Sequence, residues 1–387
     1  MKRVVPLIVG GILMLAVLVA VIVIPIVFKA AAPTPTPYVA PTATQEQSVT
    51  LNGFCGSEKI PFFSDPAVIA ALAKYQLTVN CKAMGSIAMV MQVSTDELKA
   101  QKTDFLSPSN SAAVAIFESK HNKADFPGYQ AADVFYSPLV LLTVKEARDA
   151  EMKVNAIQLR GGFYYFADMP ALVNQVVNKV TWQSLDPSQS ALTGYVKVGS
   201  TNPGSSNSGN LFYFLLGNIV AGDPTQGFTS ADQAKVLPAL HQIRVNVGDK
   251  ASTSEDLFNE WIQGAKEYTF PMANVYESQI LEYSNEQPAD FKSRINSEFS
   301  VVYPEPDINS VHEIICLDSE CARLITALKS PDLQPLEWRH GFRTTANNDP
   351  SVFPNFKIPH LTQFTNLPEP SVYLAAVACL QDTGPCQ

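Results

Sequence analysis

The stretch Gly199, Ser200, Thr201, Asn202, Pro203, Gly204, Ser205, Ser206, Asn207, Ser208, Gly209 stands between a strand-like run and the apolar helix pattern Leu211 to Ala221. Its small and hydroxylated side chains leave backbone N–H groups unshielded, and the helix start adds about half an elementary positive charge. Such a loop holds an anion or a polar oxygen. An N-cap in a glycine-rich turn, filled by Ser205 or Ser206, accounts for the same residues. Three further loops share the character: Gly56, Ser57, Glu58 after the first strand-like run, Met84, Gly85, Ser86 after the second, and Ser107, Pro108, Ser109, Asn110, Ser111 after the third. Ligands of open parallel sheets sit outside the carboxyl ends of the strands. The four loops, and with them Ser57, Ser86, Ser206 and Ser208, are therefore expected to converge on one solute in one cleft.

Other constellations carry less. The five histidines, His121, His241, His312, His340 and His360, are scattered, and none has a zinc-hydrolase spacing or adjoins a Gly-x-Ser-x-Gly elbow. Glu277 after Tyr276 has the chemistry of a general base, but capping or orienting the next helix explains it equally. Asp186, Ser188 and Ser190 have metal-site spacing without a preceding buried strand. Trp182, Trp261 and Trp338 sit in amphipathic contexts that read as packing. No catalytic residue, metal or cofactor is assigned, and the chain is not expected to be an enzyme.

The elements that must position these loops alternate. Strands are expected at Val49 to Phe54, Leu77 to Asn80 and Thr103 to Leu106, with helices at Asp65 to Tyr75, Thr95 to Gln101 and Asn110 to Glu118. That alternation predicts an α/β fold with a mostly parallel sheet flanked by helices. Val134 to Val144 holds Pro138 and suits an extended crossover into a second α/β set. That set has helices near Asp168 to Lys179, Ser208 to Ala221, Ser230 to Ile243 and Ser254 to Lys266, and strands near Gly194 to Val198 and Thr269 to Val275. Phe299 to Tyr303 and Val311 to Leu317 read as a return to the first sheet; the Pro-rich tail after Pro331 is not placed.

Ahead of these, Val4 to Phe28 is an uncharged run that as a helix reaches roughly 37 Å, enough to cross a bilayer core of roughly 30 Å with tilt. Lys2 and Arg3 precede it, so the remainder is expected to face outward; Ala30 to Ala32 leave a cleaved signal as the alternative. Residues 30–48, with Pro33, Pro35, Pro37 and Pro41, read as an extended stalk. Segments 49–138 and 139–296 are expected as two lobes, and 297–387 as a return to the first lobe plus the tail. The expected location is the cell membrane, single-pass, with the C-terminal part extracytoplasmic.

An exported chain allows its six cysteines to pair. Two neighbouring parallel strands that finish level bring Cys55 to Cys81, and Cys316 with Cys321 and Cys379 with Cys386 are close enough to close local loops. Hydrophobic residues make up 46% of the sequence and charged ones 16%, which excludes bulk disorder. The net charge of −9, without a basic run, argues against nucleic acid as a partner.

The sequence resembles the type 2 periplasmic solute-binding proteins, in particular the phosphate and molybdate/tungstate-like branch and its membrane-anchored relatives. The likeness rests on Gly56-Ser57-Glu58, Gly85-Ser86, Tyr136-Ser137-Pro138, Thr201-Asn202-Pro203 leading to Ser206-Asn207-Ser208-Gly209, and Asn274-Val275-Tyr276-Glu277-Ser278. It continues through Leu328-Lys329-Ser330-Pro331-Asp332-Leu333-Gln334 to Gly341-Phe342-Arg343. It implies two lobes that close on a small solute, an oxyanion for this branch, with contacts from Gly56, Ser57, Gly85, Ser86, Ser109, Ser206, Asn207, Ser208 and Tyr276. It also implies a monomer that hands its solute to an ABC-type permease. Relatives with this pattern can carry a von Willebrand factor A domain, which has no room here, and phosphate receptors need a carboxylate, for which Asp104 and Glu58 are the candidates. A membrane-anchored sensor or interaction module that keeps the fold without transport, and a hydrolase, are the competing readings.

Overall fold

Two sheets share one long strand in the computed structural model, which describes residues 47–248, 251–264, 270–346 and 348–386. The span expected over 1–29 and nearly all of the stalk lie outside the described residues. Among the described residues no helix is long and apolar enough to cross a membrane.

In the first sheet, β1 (Val49–Cys55) lies between β2 (Leu77–Ala83) and β3 (Phe105–Ser107), all parallel, with Cys55 level with both Ala83 and Ser107. Next comes β4 (Gln130–Val144), whose residues up to Pro138 belong to this sheet and whose residues from Leu139 belong to the second. Pro138 brings no N–H to the ladder, which suits a residue where the pairing partner changes. The second sheet adds the hairpin β5 (Ile157–Arg160) and β6 (Tyr164–Asp168), then β7 (Val198–Gly199), β8 (Met272–Tyr276) and β9 (Phe299–Glu305). The closing strand β10 (Asn309–Cys316) lies antiparallel between β3 and β4 in the first sheet.

The sheets are therefore mixed rather than purely parallel. A second difference concerns β9, expected in the first sheet: it pairs antiparallel with β4 and parallel with β6 in the second. Six consecutive buried residues in β9 need cover on both faces, which a central position provides. The tail also forms a helix, Pro370–Leu380, that packs on the helices Asn207–Ala221 and Gln233–Val247 of the second lobe, with the Phe214 and Tyr373 rings 4.4 Å apart. Residues 297–387 thus divide between the lobes, because β10 and the helix Ala322–Leu328 build the first core around Phe62, Phe135 and Phe342.

Three disulfides join Cys55 to Cys81, Cys316 to Cys321 and Cys379 to Cys386. The first fastens the edge strand β2 to β1 at a Cα separation of 5.9 Å. Trp182 and Trp261 are fully buried packing residues, and the Trp261 indole donates to the Phe270 carbonyl.

Candidate functional site

Four of the loops that carry small residues end in helical turns aimed at one place. Gly56 precedes the short turn Ser57–Lys59, Gly85 starts the helix Ser86–Met91, Ser206 starts the helix Asn207–Ala221, and Thr253 starts the helix Ser254–Ile262. Gly56, Gly85 and Ser206 make no side-chain cap. The amides of Ser57, Ser86, Asn207 and Ser208 accordingly have no protein acceptor among the described residues. Between these turns lies a cavity of about 270 Å³, at the small end of solute sites. Its wall comes from the first lobe through Gly56 to Glu58 and Ala83 to Ser86 with Ala88, and from the second through Ser205 to Asn207, Ser252 to Ser254 and Tyr276.

Of the residues singled out from sequence, Gly56, Ser57, Gly85, Ser86, Ser206, Asn207 and Tyr276 line this cavity. Ser109 and Ser208 stand behind its wall. Ser109 is fully buried, where its N–H donates to Ser86 Oγ and its hydroxyl to Glu58 Oε1. Ser208 is fully buried against the Thr201 and Ser206 hydroxyls. Along the helix start at Asn207 each residue turns the side chain by about 100°, so Ser208 points elsewhere than Asn207, while Ser109 lies in the loop ahead of the helix Ala113–Lys120, where sequence spacing fixes no direction. Ser252, Thr253 and Ser254 were missed, although a Ser-Thr-Ser run opening an expected helix is the same signal as at Ser205 and Ser206.

The lobes meet at this site through a buried amide network. Asn207 Nδ2 donates to the Ser109 carbonyl and, at 3.0 Å, to the Tyr276 hydroxyl, while Asn110 Nδ2 donates to Asn207 Oδ1 at 2.7 Å. Asn110 Nδ2 also reaches Tyr373 Oη at 2.8 Å, and that hydroxyl donates to Asn210 Oδ1. Asn110 belongs to the third loop expected at the cleft but was not singled out within it, and Tyr373 was not identified from sequence. Closest of all, Gly85 abuts the Ser205 carbonyl so tightly that an added Cβ would lie 1.9 Å from it.

Glu58 is the charged residue among the described lining residues, and among the described residues no lysine or arginine lines the cavity. Its Oε1 takes the Ser109 hydroxyl, and no protein donor among the described residues reaches Oε2. Asp104, the other carboxylate considered, is outside the lining and accepts the Asn52 N–H at 2.7 Å. Burial holds the Tyr276 phenol well above its ordinary pKa, assisted by the Glu58 charge, so it stays a neutral donor. Glu277 is fully buried and receives Arg343 Nε at 2.7 Å and the Tyr303 hydroxyl at 2.7 Å, a lock on the Glu277 helix rather than a base at the cavity. Asp186 pairs with Lys153 at 2.6 Å and takes the Ser188 hydroxyl.

No protein-family model matches the chain, and no curated protein matches its sequence. Solved structures do match in shape. The periplasmic thiamin binding protein superposes with a TM-score of 0.53 at 14% identity, over 87% of this chain and 96% of that one. Iron-bound HitA from Pseudomonas aeruginosa gives 0.51 at 16%, over 87% and 100%. The apo ferric ion-binding protein A of Pasteurella haemolytica gives 0.50 at 10%, over 86% and 97%. The chain has the mixed α/β, two-lobed fold of the periplasmic solute-binding proteins.

Proposed function

We propose that the chain is an extracytoplasmic receptor that closes two lobes on a small oxyanion, performs no chemistry on it, and delivers it to a membrane permease. The observation that carries this reading is the cavity between the lobes, into which helix starts from both lobes bring amides that lack protein acceptors. Such amides and the surrounding hydroxyls recognise acceptor oxygens on the solute. The free Oε2 of Glu58 adds a demand of the opposite kind, since an ionised carboxylate accepts only. A solute with several acceptor oxygens and one proton to give, such as hydrogen phosphate, meets both. Anchoring by the apolar N-terminal run, with the receptor outside the cell membrane, belongs to the same proposal.

Thermal unfolding in the presence of phosphate, sulfate, molybdate or tungstate tests it. The true ligand raises the midpoint as RT ln(1 + [L]/Kd) requires. Phosphate is expected to stabilise more than sulfate, and failure of all four anions to move the midpoint refutes the oxyanion reading.

A further inference from the structure

Directly behind Glu58 lies Lys59, a fully buried lysine that does not line the cavity. Its ammonium has three partners: the Pro108 carbonyl at 3.2 Å, Ser109 Oγ at 2.7 Å and His312 Nδ1 at 3.1 Å. An ammonium has three N–H donors, so this set uses all of them, whereas a neutral amine would turn its lone pair on an acceptor. The surroundings complete the assignment. His312 Nε2 lies 3.4 Å from Ser310 Oγ, and Ser310 donates to the Ser109 carbonyl at 2.8 Å, so His312 presents its Nδ1 lone pair to Lys59. Glu58 Oε1 stands 3.5 Å from Lys59 Nζ.

We propose that Lys59 is the concealed counter-charge of the site: it neutralises Glu58 from behind, so that an anion is admitted beside a carboxylate in a cavity that no lysine or arginine among the described residues lines. Lys59 does not touch the solute and acts as a positioning residue through Glu58 and Ser109. Its effect on affinity rests on the oxyanion reading, while its coupling to Glu58 does not.

The groups facing Lys59 leave Glu58 as its charge partner. On β10, His312 is kept neutral, its pKa held well below the ordinary value by burial and then by Lys59. Glu313 on the same strand is pushed up to about 9 by burial and by Asp133 of β4, and so is neutral near pH 7. From β8 comes Tyr276, neutral as above, and around His312 pack the rings of Phe135 and Phe342 at 5.0 and 5.1 Å. Burial draws the Lys59 ammonium down to about 8 against the opposing pull of Glu58. The compensation is therefore complete in neutral solution and fails in mildly alkaline solution.

The test combines melting temperatures of the solute-free wild type, Lys59→Met, Glu58→Gln and the double variant with the pH dependence of phosphate affinity by calorimetry. Without solute, Lys59→Met is expected to melt below the double variant at neutral pH, because it leaves Glu58 buried without its partner. Equal melting of the two overturns the proposal, whether or not any anion binds. In the wild type, phosphate affinity is expected to fall about tenfold between about pH 7.5 and 9.5, a range in which the anion keeps one proton. Lys59→Met, if it folds, is expected to bind more weakly at neutral pH and to lack that fall; a wild-type profile that is flat, or a fall that survives in Lys59→Met, overturns the proposal. Absence of phosphate binding by the wild type refutes the oxyanion reading alone, and the melting comparison then decides Lys59.

Discussion

Replacing Gly85 by alanine places a methyl group across the cleft, between a loop that follows β2 in the first lobe and the Ser205 turn of the second. The added Cβ would lie 1.9 Å from the Ser205 oxygen and 3.1 Å from its carbonyl carbon. Ordinary contact begins near ~3.5 Å, so the loops must part by about 1.5 Å. Both atoms on the far side belong to backbone, which gives way only if the lobes separate or the turn is strained. Overfilling a packed contact costs about 1–3 kcal/mol. If closure on the solute creates this contact, the whole amount falls on the bound state and raises Kd by about 5- to 150-fold. Calorimetric titration with phosphate measures that change, and small-angle scattering reports a larger radius for the variant. The solute-free melting temperature is expected to move little, since an open form has no clash. Wild-type affinity in Gly85→Ala, or a loss of stability without loss of affinity, refutes the argument that this contact belongs to closure.

Other consequences follow from single residues. Glu58→Gln removes the carboxylate that accepts from the solute, so phosphate affinity should fall about 10- to 100-fold while the preference over sulfate narrows, as competition titrations would record. Tyr373→Phe leaves the amides of Asn110 and Asn210 short of a buried partner; chemical denaturation should show a loss of about 1–3 kcal/mol, and an unchanged midpoint would count against the network. Glu337 is fully buried and neither carboxylate oxygen has a partner among the described residues, so burial pushes its pKa well above the usual range. A raised folded value means stability that is intact below the unfolded pKa and is lost as pH rises towards the folded one. Glu337→Met should thus stabilise by about 1–3 kcal/mol at neutral pH, with the gain shrinking in acid; a destabilised variant would contradict this. Breaking Cys55–Cys81, which spans 26 residues, should cost more than breaking Cys379–Cys386, which spans 7, because the longer loop regains more entropy; the former is expected to lose about 2–4 kcal/mol by denaturant titration.

What the sequence made legible follows from where local chemistry decides structure. The runs at Val49, Leu77 and Thr103 alternate with helix-length segments, and small residues follow each strand, so the level finish of β1, β2 and β3 and the loops beyond them could be read directly. Pro138 marked the crossover for the same reason, since it has no N–H to give. The strand β9 was assigned to the first sheet and belongs to the second, because an all-apolar run shows that a strand is buried without showing which sheet covers it. The helix Pro370–Leu380 was hidden in a Pro-rich tail, and the helices it packs on, Asn207–Ala221 and Gln233–Val247, lie far from it in sequence. At the site, Ser109 and Ser208 look like Ser57 and Ser206 in sequence; which hydroxyl faces the cavity depends on the phase of the turn at Ser208 and on the path of the loop at Ser109. Lys59 offered only a charge ahead of Ile60-Pro61-Phe62-Phe63, and a lysine there is ordinarily a surface residue. Its burial depends on acceptors from the β3 loop and β10, brought in from about 50 and 250 positions away in the chain.

Backbone amide exchange with and without phosphate tests the central claim most directly, because the claim concerns particular N–H groups. Binding should slow exchange at Ser57 and Ser86 in one lobe together with Asn207 in the other. Phosphate binding that leaves these three amides unprotected, or that protects one lobe alone, would contradict a solute held between the two.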